Sequence, residues 1–289
     1  MGVDVATLTS VEELRKLESE WIALLARTEQ ELPFLWPEWL ITWWEVFHQD
    51  RAVIRDRLQV KVVRRDSGEL LGIVPLMATE RPAVGPVRVR TVGFIGADNF
   101  VTEQRAPIVD PAFESEVADA LAAHLSASSD WDWILWDGLK PESELAKTLA
   151  REMNLRWGDQ QAGNILHLPP SWEQFRRGFR VHLKKSIQHC YNTLKREGLT
   201  PHLEVASTPQ EIAPALEIFL RLHSTLALQP DARLRYDHFG DPVSRRFLLL
   251  ACSRLASRNM TRVLTLRIGG EPVASRLAFQ LPSCLYLYR

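Results

Sequence analysis

Apolar positions recur every three to four residues in two stretches near the start of the chain. The first is Val11, Leu14, Leu17, Trp21 and Leu24. The second is Trp36, Trp39, Leu40, Trp43, Trp44 and Phe47, with Glu38, Thr42 and Glu45 off the stripe. That spacing predicts two amphipathic helices. Ser10 with Glu13 three residues on predicts a capping box at the first, and Pro33 breaks the chain between them. The period then falls to two. LQVKVVRRDSGELLGIVPL, from Leu58 to Leu76, reads as two strands joined at Ser67-Gly68, the second stopping or bulging at Pro75. The same phrase returns as TRVLTLRIGGEPVASRLAFQ, from Thr261 to Gln280, with Gly269-Gly270 at a tight turn. Two helical patterns precede it as well. Thr208 caps Ile212, Leu216, Phe219, Leu220 and Leu226, and a second stripe holds Val243, Phe247, Leu250 and Leu255. A helix–helix–hairpin unit therefore occurs twice, which predicts two copies of one fold.

Between the copies the pattern predicts a strand from Val87 to Phe94 and a polar, glycine-containing loop from Gly93 to Phe100. A helix from Pro111 to Leu125 turns Phe113, Val117, Leu121 and Leu125 inward. Trp131–Trp136 reads as a short buried strand, Leu145, Leu149 and Met153 mark a further helix, and Asn164–Leu168 reads as a closing strand. Pro169-Pro170 punctuates the chain, which gives units of 1–168 and 169–289. A long helical pattern follows from Ser171 to Glu197, open to a split at Gly178 and ended by Gly198 as a C′ residue. Trp172, Phe175, Phe179, Leu183, Ile187, Cys190 and Leu194 form its apolar stripe. Arg176, Arg177, Arg180, Lys184, Lys185, Lys195 and Arg196 lie mostly off it. Strands are expected at Pro201–Val205 and Cys284–Tyr288. Set against the first copy, the second is incomplete by roughly 80 residues. The expectation is a fragment of a longer reading frame, ending on an open apolar edge; a natural short form closed by a partner is the alternative.

Composition narrows the field. With 35 basic and 36 acidic residues the formal net charge is −1, so no global field draws the chain to nucleic acid or an anionic membrane. Cys190, Cys252 and Cys284 are far apart and in no metal-ligand spacing, which reads as reduced thiols of a cytoplasmic protein and no metal site. No apolar run approaches the roughly 20 residues of a membrane span. The ten tryptophans read as large core filling, with an aromatic groove for a sugar or lipid as the alternative. HExxH, paired CxxC, GxSxG and Walker motifs are absent from the sequence.

The residues that carry a family likeness are scattered over most of the chain. They are Pro33-Phe34, Trp39 and Trp43, Gly72 to Leu76, Asp98-Asn99-Phe100, Leu183-Lys184-Lys185, Leu194 to Gly198, Phe219 to His223, and Glu271 to Ala274. In this order they resemble the GNAT acyltransferases, and among them the CelD-like (cellulose-biosynthesis type) family, related to the FemAB-type aminoacyltransferases. The resemblance implies an α/β fold of tandem GNAT-like units with mixed sheets flanked by helices, the second incomplete. It also implies acyl transfer from acetyl-CoA or another acyl-CoA to an amine or hydroxyl of a small molecule, sugar or lipid, often in cell-envelope or exopolysaccharide work. Aminoacyl transfer from charged tRNA and a degenerate, non-catalytic scaffold are the alternatives. Gly93-x-x-Gly96-Ala97 is a loose echo of the family's pyrophosphate loop, with Thr91 and Val92 where a basic residue would stand.

Acyl transfer needs a base for the acceptor's proton and a donor to the thioester oxygen. Asp98, His223 and Glu271 are the candidate catalytic residues, with Glu69 and Glu103 as further bases. Gly96, Asn99, Arg180, Lys184 and Lys185 are the candidate substrate- and cofactor-binding residues. The plain alternatives are a core-edge histidine for His223, a turn cap for Asp98-Asn99, and a solvated helix face for the basic residues. Phosphate binding, to CoA or to tRNA, is the functional reading of that face.

Overall fold

The structure is a computed structural model and describes residues 2–28, 30–97, 100–159, 163–229 and 236–289. In chain order its elements are β1 (Val3–Leu8), α1 (Val11–Leu25), α2 (Pro37–Phe47), β2 (Arg55–Leu58), β3 (Val60–Arg65), β4 (Leu70–Val74), β5 (Leu76–Pro82), β6 (Arg88–Phe94) and β7 (Ile108–Val109). There follow α3 (Glu114–Ala127), β8 (Trp133–Ile134), α4 (Glu144–Met153), α5 (Trp172–Arg177) and α6 (Val181–Arg196). The remainder is β9 (Pro201–Ala206), α7 (Pro209–Ala227), α8 (Pro242–Ala256), β10 (Thr261–Ile268), β11 (Glu271–Gln280) and β12 (Leu285–Leu287). The fold is mixed α/β.

The repeat is present and longer than its hydrophobic pattern indicates. One sheet runs β1-β3-β4-β7 and another runs β9-β10-β11-β12 in the opposite listing order, so strand–helix–helix–hairpin–strand occurs twice with equivalent neighbours. β1 was not anticipated; its Val3, Asp4, Val5 alternation pairs antiparallel with β3, Val5 opposite Val63. β9 pairs likewise with β10, Val205 opposite Leu264. Both first helices begin at capping boxes, Ser10 with Glu13 and Thr208 with Glu211, in which each hydroxyl and carboxylate satisfies free N–H groups of the first turn. Both hairpin turns use glycine at positive φ, Gly68 at 89° in one and Gly269 and Gly270 at 61° and 88° in the other.

Pro75 acts as its chemistry requires. It has no N–H for the ladder, and there the long ribbon leaves one sheet for another: β3 and β4 stay in the first, while β2 and β5 join β6 and β8. β6 and β8 are parallel, joined through α3.

The main core lies between the helices of both repeats. Trp39, fully buried, meets Phe34 at 5.0 Å and Phe247 at 4.9 Å, with Phe279 and Tyr288 at 5.7 and 5.8 Å. Residues before and after 168 thus share one apolar interior. Trp21, Trp39, Trp43 and Trp44 are all buried, in keeping with core filling. The outer face of the first sheet is roofed by α3, where Val117 packs on Val63, Leu71 and Val109.

Three expectations need correction. Residues 164–168 form no strand, and Ile165, Leu166 and Leu168 stand exposed, because alternation makes a strand only where a sheet edge meets it. In Trp131–Trp136 only Trp133–Ile134 is strand, with Trp133 and Leu135 exposed, because this end strand packs on one side alone. The apolar stripe of 171–197 covers no core, since none of α6 is buried; the division at Gly178 is the split the sequence left open.

Candidate active site

The repeats meet where β12 lies against the loop 100–105. The Tyr286 hydroxyl donates to Glu103 Oε2 at 2.9 Å, and the Tyr288 hydroxyl donates to the Val101 carbonyl at 2.6 Å. Arg289 pairs with Glu103 and donates to the Phe100 carbonyl at 3.3 Å. Alternation along Leu285-Tyr286-Leu287-Tyr288 sends both tyrosines inward and leaves Leu285 and Leu287 exposed. Burial pushes the Tyr286 phenol up to about 12 and that of Tyr288 well above its ordinary range, so both remain donors.

Beside this seam stands His223. It is the next turn of α7 after the buried Phe219 and Leu220, so helical period brings it to the core's edge. Its ring stacks on Phe219, with centroids 5.8 Å apart, and lies 5.5 Å from Phe239, which in turn reaches Tyr288 at 6.4 Å. Asp237 faces it, Oδ1 lying 3.6 Å from His223 Nε2, just beyond a hydrogen bond. Asp237 is itself held by the Ser224 hydroxyl at 2.7 Å and the Phe239 N–H at 3.1 Å. Burial pulls the His223 pKa down; Asp237 opposes that shift and His238 adds to it. Burial therefore favours the neutral imidazole. Among the described residues its buried Nε2 has no hydrogen-bond partner, nor has Nδ1 of His238. Phe100, from the first repeat, lies 6.3 Å from the His238 ring. The unused nitrogen, Nε2, faces the fixed Asp237 carboxylate, so a proton gained there would be held beside a negative charge.

The other sequence candidates fall elsewhere. Asp98 and Asn99 lie outside the described residues. Glu271 is exposed at the tip of the second hairpin, six residues along β11 from Leu277, where Tyr288 pairs; at strand rise that is about 20 Å. Glu69 sits at the first hairpin turn, paired with Arg65 at 3.0 Å. Gly96 is a turn glycine at φ 91°, and its carbonyl accepts from Arg105 at 2.6 Å. Arg180 precedes α6, Lys184 donates to the Arg177 carbonyl at 2.9 Å, and Lys185 is exposed on the same helix. Among the described residues, no hydrogen bond or ion pair joins these three cations to His223 or to the seam.

Parallel strands bind ligands beyond their carboxyl ends. At β6 and β8 that place is filled. Arg105 occupies it, pairing with Asp137 and donating to the Gly96 and Thr102 carbonyls. The first turn of α3 carries Glu114 and Glu116, which repel a pyrophosphate where a helix start would otherwise attract one. These residues do not fit the CoA diphosphate. Glu103 was legible as a candidate base, whereas Asp237, Ser224 and Arg105 were not. Asp237 lies in a charged loop with no motif, and the clue for Ser224 was only its place next to His223.

Comparison with known proteins bears on the second repeat. Residues 181–289 match the family model of the acetyltransferase (GNAT) domain. No curated protein matches the chain. Among solved structures, a tandem GNAT protein from the clavulanic acid biosynthesis pathway, without AcCoA, is similar over 99% of this chain and 79% of its own, at 12% identity and a TM-score of 0.36.

Proposed function

We propose that the protein is an acyltransferase working at the seam between its repeats. It moves an acetyl or other acyl group from acyl-CoA to an amine or hydroxyl acceptor, with His223 as general base. The observation that carries this is the neutral, half-buried imidazole whose Nε2 has no partner, in the segment that matches the GNAT acetyltransferase domain. As the acceptor's lone pair attacks the thioester carbonyl, its proton passes to His223 Nε2. Asp237 steadies the imidazolium, the C–S bond breaks with its electron pair on sulfur, and the imidazolium returns the proton to that thiolate, releasing CoA as thiol and restoring neutral His223. Tyr286 and Tyr288, held protonated, add no charge to the wall of the seam. The filled end of β6 and β8 supports a structural role for the first repeat. The resemblance to CelD-like transferases extends the reading to a sugar or lipid acceptor of the cell envelope.

The test is CoA thiol release from acetyl-CoA against a panel of amines, amino sugars and glycerolipids. The wild-type chain is expected to release CoA in an acceptor-dependent way, and His223→Gln to lower the rate by about 10²–10⁴. Equal rates would remove His223 from the chemistry.

A further inference from the structure

The helix α6 has no work inside the molecule. Every other described helix of ten residues or more buries several side chains, yet none of the sixteen residues of α6 is buried. It is nonetheless strongly two-sided. At about 100° per residue, Leu183, Ile187, Cys190 and Leu194 fall within an arc of roughly 60°. Lys184 and Lys195 border that arc on one side, and Lys185 and Arg196 lie beyond them. The helix holds four of the chain's 35 basic residues and none of its 36 acidic ones. Among the described residues, a nearly neutral protein thus sets three lysines and Arg196 on a helix that buries nothing, with Glu197, just past its end, paired to Arg196 at 3.2 Å. Immediately before it, Trp172, Phe175 and Phe179 make their own aromatic cluster, with centroids 4.9 to 5.9 Å apart, and Trp172 is 55% exposed. Arg176, Arg177 and Arg180 lie beside it.

We propose that α5 and α6 dock the protein on an anionic lipid surface, with α6 lying in the plane of the headgroups. The partner is read from the chemistry. An aliphatic stripe with Lys184 and Lys195 along one edge meets acyl chains and lipid phosphates together. RNA would use the cations but not Leu183, Ile187 and Leu194. A second copy would bring two helices of the same sign together. Trp172 and its neighbours suit the interface between water and hydrocarbon. No described helix is long and apolar enough to cross a membrane, so this is attachment to the surface. The proposal goes beyond acyl transfer, and a chain inactive in transfer would still bind vesicles.

Cosedimentation of the full chain with vesicles of phosphatidylcholine alone, or with one part in three of phosphatidylglycerol, tests it. Binding to the anionic vesicles is expected to be at least about tenfold tighter and to weaken with salt. Joint replacement Lys184→Ala, Lys185→Ala, Lys195→Ala and Arg196→Ala should remove that preference. Leu183→Glu with Ile187→Glu should abolish binding. Thermal melting should be unchanged in both variants, since α6 buries nothing. An environment-sensitive dye on the exposed Cys190, in a Cys284→Ser background, should shift to the blue on anionic vesicles; Cys252 is buried. Any of four results would overturn the proposal: equal binding to both vesicle types, vesicle binding that survives both variants, salt-sensitive binding of tRNA without vesicle binding, or loss of acetyl-CoA binding or of a dimer as the only effect of the variants.

Discussion

The Tyr288 hydroxyl donates to the Val101 carbonyl at 2.6 Å across 187 residues of chain. Both groups are buried, and the bond ties the last strand of the second repeat to the loop that leaves β6 in the first. Tyr288→Phe keeps the ring among Phe34, Trp39 and Phe279 but removes this hydrogen bond. The expected loss is about 0.5–1.5 kcal/mol by urea denaturation. Faster amide hydrogen exchange is expected in the loop 100–105.

Because Trp39 packs on Phe247 and Phe279, the repeats should unfold together. Trp39→Ala removes a fully buried side chain and the Nε1–H bond to Thr102 Oγ1 at 3.0 Å. It should destabilise the whole chain by about 3–5 kcal/mol. Calorimetry should show one shifted transition. Two separate transitions, with only one displaced, would mean that the units stand apart.

The depressed His223 pKa has a consequence for stability. The unfolded imidazole titrates near its ordinary 6.5, and the folded one lower. Between those values the unfolded chain binds more protons, so stability is full above about pH 6.5, falls as the pH drops towards the native value, and levels off below it. His124, also lowered by burial, adds to the same slope. His223→Gln should flatten part of the decline below pH 6.5 in a series of denaturation curves. A slope equal to wild type would place the His223 titration at its ordinary value.

Much of this arrangement was legible in the sequence because it follows from periodicity and local chemistry. The capping box at Ser10, the cap at Thr208, the glycine turns and the break at Pro75 each act within a few residues, and the structure has all of them. The stripes of α1, α2, α7 and α8 were visible for the same reason. What depends on distant neighbours was not. Alternation in 164–168 looks like a strand but meets no edge, and the stripe of α6 looks like a core face but meets no core. At the site, His223 was visible on its helix, whereas Asp237 arrives from a loop whose path no pattern states. Glu271 matched the family's sequence but lies at a hairpin tip, away from the imidazole.

The central claim is that an acyl-CoA meets this protein at the seam by His223, and not at the start of α3. Titration of acetyl-CoA into the chain by calorimetry tests it most directly, alongside a Glu114→Gln, Glu116→Gln variant. Saturable binding is predicted, with the same affinity in both proteins. No binding, or binding that tightens markedly when the two acidic groups at α3 are neutralised, would contradict it.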